Sequence, residues 1–203
     1  MKLFYGQPSP FVRKVMITAH ELGLIDRLEI VDGGGTPVAP NQDLAKVNPI
    51  RKIPTLVTDD GSVLYDSGVI CEYLDSLHGR DKIFPAAGPA RFEALRLHAL
   101  ADGLMDTAVQ LRYEMTLRPE QYRWDEWIDG QMSRIESTLA GIEASVGTFG
   151  DSLTIGTISC GCALGYLDFR YSERDWRPAF PNSGDWYADF SQRDSMLATQ
   201  PRL

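Results

Sequence analysis

Three short segments in the first third of the chain pair hydroxyl or carboxylate side chains with a helix start or a backbone-fixing proline. Ser9-Pro10-Phe11-Val12-Arg13-Lys14-Val15 reads as a helix opening, with Ser9 at the N-cap and Pro10 at the first helical position. A hydroxyl there lies beside backbone N–H groups that have no partner inside the helix, at the positive end of the helix dipole. That setting would stabilise an anion such as a thiolate, and plain capping accounts for Ser9 equally well. In Asn48-Pro49-Ile50-Arg51-Lys52-Ile53-Pro54-Thr55-Leu56, the Ile53-Pro54 pair directly precedes a strand. An edge-strand proline is the simple reading. A cis bond, found in about 5–6% of X–Pro pairs, would instead turn the Ile53 N–H and C=O outward. An extended, peptide-like ligand could then pair with them as an added strand does. Asp66-Ser67-Gly68 opens another helix as a good N-cap. The free N–H groups and the Ser67 hydroxyl suit a carboxylate, and Asp66 suits an ammonium.

The elements that must position these groups follow from hydrophobic spacing. Residues 2–5 read as a short strand, and Phe11, Val12, Val15, Met16, Ala19 and Leu22 recur at helical spacing until Gly23. Residues 28–31 form a second strand. Asp32 to about Pro49 is rich in Gly and Pro and reads as a mobile surface loop. Its triple glycine lacks the Gly-Lys-Ser/Thr of a phosphate loop. Residues 55–58 and 62–65 flank Asp59-Asp60-Gly61 as a hairpin, and Val69, Ile70, Tyr73, Leu74 and Leu77 form an amphipathic run closed by Gly79. A Pro- and Gly-containing linker starts at about residue 80. Beyond it the chain is helical. Leu104, Ala108, Leu111 and Met115 form one stripe, and Ile128, Met132, Ile135, Leu139, Ile142 and Val146 another. Ile155 to Phe169 is apolar nearly all round and reads as a buried central helix, with a last short helix near 184–195.

The 203 residues carry a net charge of −8 and a pI of about 4.9, which argues against general nucleic-acid binding and against anionic membrane surfaces. The N-terminus has no apolar signal-peptide core, and no apolar run is long enough to span a membrane. The three cysteines are too few and too odd in number for a disulfide framework, so a reducing cytoplasm is the expected location. Cys160 and Cys162 point about 200° apart on a helix and cannot readily share a metal or a bridge. With Cys71 they read as core. His20, His78 and His98 show no metal-ligand spacing, and no metal site is expected. The charged stretch Arg118 to Asp129 reads as a solvated face.

The order and spacing of Ser-Pro-Phe near residue 9, Lys-Ile-Pro-Thr-Leu near residue 54 and Asp-Ser near residue 66, followed by an all-helical half, resemble the glutathione transferase superfamily. The resemblance is nearest to the bacterial branch that carries Ser-Pro-Phe-Val-Arg-Lys, and the run Gly161 to Arg170 strengthens it. It implies an α+β, thioredoxin-like N-terminal domain over 1–79 and an all-α helical-bundle domain over 86–203. It implies that Ser9 hydrogen-bonds the glutathione sulfur, that Ile53 before a cis Pro54 pairs with the cysteinyl part, and that Asp66 and Ser67 hold the γ-glutamyl end. Lys52, and in second place Arg13, would meet the glycine carboxylate. Phe11 is counted among the glutathione contacts, and also with Met105, Tyr113 and Tyr166 as walls of a pocket between the domains for a hydrophobic electrophile. Tyr5 is the reserve hydroxyl donor.

The activity implied is conjugation of glutathione, a co-substrate, to a small electrophile for detoxification, in a cytoplasmic homodimer where Asp102 or Asp106 reaches the neighbour's site. A non-catalytic binding protein and a glutathione-dependent peroxidase or isomerase are the alternatives. Two departures stand out. Thr157 occupies the place where the family's capping box has Asp, which predicts a weaker cap in the second domain. The catalytic position holds Ser and not Cys, which disfavours mixed-disulfide chemistry.

Overall fold

A computed structural model describes residues 1–77, 79, 83–150 and 153–202. It divides into two compact units, one of Met1–Ala86 together with the terminal segment from Asp194, the other of Ala87–Arg193.

In the first unit, β1 (Lys2–Tyr5) is buried through Leu3 and Phe4 and is flanked on both sides. It pairs in parallel with β2 (Glu29–Asp32) and antiparallel with β3 (Thr55–Val57), which pairs antiparallel with β4 (Val63–Leu64). The sheet order is β2-β1-β3-β4. Helix α1 (Pro10–Glu21) starts at the Ser9 N-cap and ends where Gly23 adopts φ +66°, a left-handed backbone that glycine takes without strain. Its buried Val12, Val15 and Ala19 pack towards α3 (Ser67–Ser76), whose Ile70, Cys71 and Leu74 are fully buried. The Thr18 hydroxyl lies 3.4 Å from the Cys71 sulfur, so Cys71 is a core thiol. The stretch from Asp32 to Pro49 is not wholly irregular. It holds a short helix, α2 (Gln42–Val47), because Asn41 accepts hydrogen bonds from the Asp43 and Leu44 N–H groups and Leu44 is buried. The linker falls partly outside the described residues, as does His78. Its Ile83 and Phe84 are buried, and their N–H groups donate to the Asp75 carboxylate.

The second unit is helical: α4 (Gly88–Thr116), α5 (Asp125–Ser145), α6 (Ile155–Arg170) and α7 (Pro181–Phe190). Helix α6 is buried from Ile155 through Leu167, as its apolar run predicts. Gly156 allows its start to touch α4, since a Cβ there would lie 2.8 Å from the Ala94 carbonyl oxygen. The Thr157 substitution leaves the capping box intact. The Thr154 hydroxyl accepts from the Thr157 N–H at 3.3 Å, and Thr157 Oγ1 accepts from the Thr154 N–H at 2.9 Å. Cys160 and Cys162 are fully buried, and burial pushes the Cys160 thiol well above its ordinary range. His98 bridges Ser159, at 2.9 Å, and Asp102, at 3.5 Å, as a structural histidine. Met115 of the α4 stripe is exposed, being one residue from the helix end. Residues 118–126 are exposed, as the charge pattern predicts.

The expected last helix is two helices. Pro181 opens α7, and Glu143 of α5 caps it from a distance, accepting from the Asn182 and Ser183 N–H groups at 3.0 and 2.7 Å and from both side chains. After a break, α8 (Asp194–Ala198) belongs to the first unit. The Ser195 hydroxyl donates to Glu21 at 2.6 Å there. Partial burial of Glu143 works against its charge, and these donors outweigh it, holding the carboxyl below the ordinary glutamate value. A depressed folded-state pKa means the stabilisation is present above the unfolded value and is lost as pH falls through the folded one. Glu143→Gln is therefore expected to cost about 1–2 kcal/mol at neutral pH, with the gap to wild type closing below about pH 4. Urea melts across that range check it, and a gap that persists at low pH contradicts the assignment.

Candidate functional site

Strand direction collects the three chemistry-bearing segments. Phe4 of β1 pairs with Thr55 of β3, so the end of β1 lies beside the start of β3. Leu64 of β4 pairs with Leu56, so the chain leaving β4 runs back to that same end. The turn from β1 into α1, the Ile53-Pro54 approach to β3 and the Asp66 start of α3 therefore share one end of the sheet. Both helices direct their N-termini to it.

Ser9 is half-buried at the α1 N-cap, and its Oγ accepts the Val12 N–H at 3.3 Å. Capping uses a lone pair and leaves the hydroxyl proton available, so the capping and donating roles of Ser9 coexist. Tyr5 closes β1. Burial raises its phenol pKa, with Arg202 opposing, which makes it a weaker acid. Phe11 is half-buried in the first turn of α1, with the Lys14 ammonium 5.7 Å from its ring centre.

The Ile53–Pro54 bond is cis, and among the described residues no protein group hydrogen-bonds the Ile53 N–H or C=O. Asn48 holds this turn. It is fully buried, donates to the Lys52 carbonyl at 3.2 Å and to Thr55 Oγ1 at 2.7 Å, and accepts the Ile50 N–H at 3.0 Å. Arg51 sits at φ +54°, a conformation costly for a residue with a Cβ. The Lys52 side chain is exposed on the same turn.

Asp66 caps α3, accepting the Gly68 N–H at 3.0 Å, and its side chain is exposed. Ser67 is 2% exposed overall, while its hydroxyl makes no hydrogen bond among the described residues and is open to solvent. A hydroxyl left open at a helix start can donate to a ligand.

Sequence reasoning missed three positions here. Asn48 was read only as part of the motif. Gly6 and Gly33 were read as turn and surface loop, yet both pack against Ile53: a Cβ would lie 2.5 Å from Ile53 Cδ1 at Gly6 and 2.7 Å from Ile53 Cγ2 at Gly33. Arg13 is assigned differently from expectation. It is buried and donates to the Met196 carbonyl at 3.1 Å and to Thr199 Oγ1 at 3.4 Å, which makes it an anchor for the C-terminal segment. In the helical unit Met105 is fully buried and Tyr166 nearly so, while Tyr113 is half-buried. Asp102 faces His98, and Asp106 is exposed. Among the described residues no group of His, Cys, Asp and Glu could hold a metal ion, and no helix is long and apolar enough to cross a membrane.

Asn48→Ala is expected to lower unfolding free energy by about 1–3 kcal/mol, because the donor to the Lys52 carbonyl and Thr55 Oγ1 and the acceptor of the Ile50 N–H are lost together. Equilibrium denaturation measures this. A loss under about 0.5 kcal/mol, the level of an ordinary surface change, would show that the turn does not depend on Asn48.

Comparison with known proteins follows the same division. Residues 8–77 match the family model of the glutathione S-transferase N-terminal domain, and residues 125–189 that of the C-terminal domain. The GST-like protein YibF of Escherichia coli K12 is 30% identical over 99% of this chain and 98% of its own. A glutathione transferase family member from Pseudomonas fluorescens Pf-5, solved with bound glutathione, is 45% identical with a TM-score of 0.97, covering 100% of this chain and 99% of its own. A second structure from that organism, with bound S-(propanoic acid)-glutathione, is 44% identical with a TM-score of 0.92 over 99% of both chains. The α+β unit with its four-stranded sheet and the helical unit together form the glutathione transferase fold, and the chain belongs to the glutathione S-transferase family.

Proposed function

We propose that this protein is a glutathione transferase of the serine type, in which Ser9 stabilises the glutathione thiolate for attack on a small electrophile. The observation that carries the reading is the meeting, at one sheet end, of two helix N-termini with an unpaired Ile53 backbone and an unpaired Ser67 hydroxyl. Each group matches one part of a γ-glutamyl-cysteinyl-glycine. The Ser67 hydroxyl and the α3 N–H groups would take the γ-glutamyl carboxylate, and Asp66 its ammonium. The Ile53 N–H and C=O, fixed before Pro54, would pair with the cysteinyl residue as a short added strand. Lys52 would face the glycine carboxylate, and Phe11 would pack against the ligand.

The sulfur would then lie at the α1 N-terminus. A free thiol has a pKa of about 8.5, so only a few per cent is ionised at neutral pH. The Ser9 proton and the helix dipole favour the anion, at about 1.4 kcal/mol per unit of lowering. The thiolate attacks an electrophilic carbon and forms a thioether. Either a leaving group departs with its electron pair, or an activated double bond accepts the pair and takes a proton from water. The S-(propanoic acid)-glutathione bound by the Pseudomonas fluorescens relative is a thioether of this kind. Ser at position 9, where a thiol would be needed for mixed disulfides, supports conjugation. We assign the protein to the cytoplasm as a homodimer acting in detoxification, and light scattering tests the assembly.

Calorimetric titration of glutathione tests the site. Wild type is expected to bind saturably, and Ser67→Ala to bind more weakly by about 1–2 kcal/mol, the value of a hydrogen bond to a charged group. Absence of binding to wild type at millimolar glutathione would remove the transferase reading. Binding without turnover on a panel of haloarenes, unsaturated acids and hydroperoxides would leave a glutathione-binding protein.

A further inference from the structure

The helical unit contains a charge arrangement that its own packing does not explain. Arg112 lies near the end of α4, and Arg170 ends α6. The two guanidiniums are close enough across the α4–α6 packing for Arg112 to act on the charge of Arg170. Tyr166 precedes Arg170 by four residues, shares its helix face and reaches the guanidinium with its hydroxyl. Tyr113 stands beside Tyr166. The Tyr171 hydroxyl donates to the Ala108 carbonyl at 2.6 Å, which pins the end of α6 to the α4 turn that carries Arg112. Sequence reading assigned Tyr113 and Tyr166 to an apolar wall, and the arginines between them change that chemistry.

Among the described residues neither guanidinium has an ion-pair partner, although the chain holds 28 acidic residues against 20 basic ones. The Arg170 Nε is buried and makes no hydrogen bond. Its guanidinium carbon lies 4.0 Å from the centre of the Phe169 ring. Burial first, and Arg112 second, lower the Arg170 pKa below its ordinary value. An unsatisfied buried donor and two neighbouring like charges both oppose folding, and both are relieved by one anion with free lone pairs. Guanidinium forks match a planar carboxylate. The carbonyl ends of α4 and α6 carry negative dipole charge, which disfavours a doubly charged anion such as phosphate.

We propose that Arg112 and Arg170, with the Tyr113 and Tyr166 hydroxyls, bind the carboxylate of a small organic acid. This site does not depend on the transferase reading.

The test is calorimetric titration of sodium propanoate, sodium phosphate and sodium chloride, at matched ionic strength, into the full-length protein. Wild type, Arg112→Gln, Arg170→Gln and Arg112→Lys are compared, with circular dichroism melts to establish that each folds. The expected result is saturable millimolar propanoate binding to wild type, about tenfold weaker in each Gln variant and partly retained in Arg112→Lys. Phosphate is expected to bind more weakly than propanoate, and glutathione affinity to stay within about twofold of wild type in every variant. Absence of propanoate binding to wild type, unchanged binding in both folded Gln variants, or phosphate binding as tight as propanoate would overturn the carboxylate site.

Discussion

A helix begins with backbone N–H groups that nothing inside the helix can satisfy, and the first unit points two such beginnings at one end of its sheet. That constraint organises the rest. The caps, Ser9 for α1 and Asp66 for α3, are polar because those N–H groups demand acceptors. Each cap satisfies one donor and leaves others open. The same groups that would destabilise the helix ends in an apolar setting are what the proposed site would use to hold an anion. The antiparallel register of β1 with β3 and β3 with β4 brings these ends together with the Ile53 turn.

The turn itself is fixed by Asn48, Gly6 and Gly33. Asn48 is buried at its base, and Gly6 and Gly33 let the Ile53 side chain lie flat against neighbouring backbone. A larger residue at Gly33 would also meet the Phe4 backbone carbon, 3.2 Å from its Cβ, which cannot step aside as a side-chain tip can. The helical unit uses the same devices for stability. Thr154 with Thr157 caps α6, and Glu143 caps α7 from another helix. It also carries the pair Arg112 and Arg170, which have no ion-pair partner among the described residues.

Local physics was legible in the sequence. The Ser9 cap, the hairpin around Gly61 and the all-round apolar α6 each depend on residues a few positions apart, so spacing reveals them. Contacts between distant segments were not legible. Arg13 read as a ligand group and instead holds residues 196 and 199, more than 180 positions away. The Gly-rich loop read as filler because glycine carries no side chain to signal that Gly33 is buried against Ile53. Helix α2 was hidden in the same loop, since one cap and one buried leucine give no periodicity. Tyr166 suggested an apolar wall because Arg112, which acts on it, comes from another helix. The capping box forms with Thr157 in the Asp place, because a threonine hydroxyl can accept the Thr154 N–H.

The central claim is that Ser9 at the α1 N-terminus makes bound glutathione a better thiolate. The most direct measurement is the pH titration of thiolate ultraviolet absorbance for glutathione bound to wild type, Ser9→Ala and Tyr5→Phe. The wild-type complex is predicted to ionise about one to two units below a free thiol. In Ser9→Ala the transition is predicted to return most of the way to the free value, and in Tyr5→Phe to stay where wild type has it. An unchanged transition in Ser9→Ala, or a shift lost in Tyr5→Phe instead, would contradict the account.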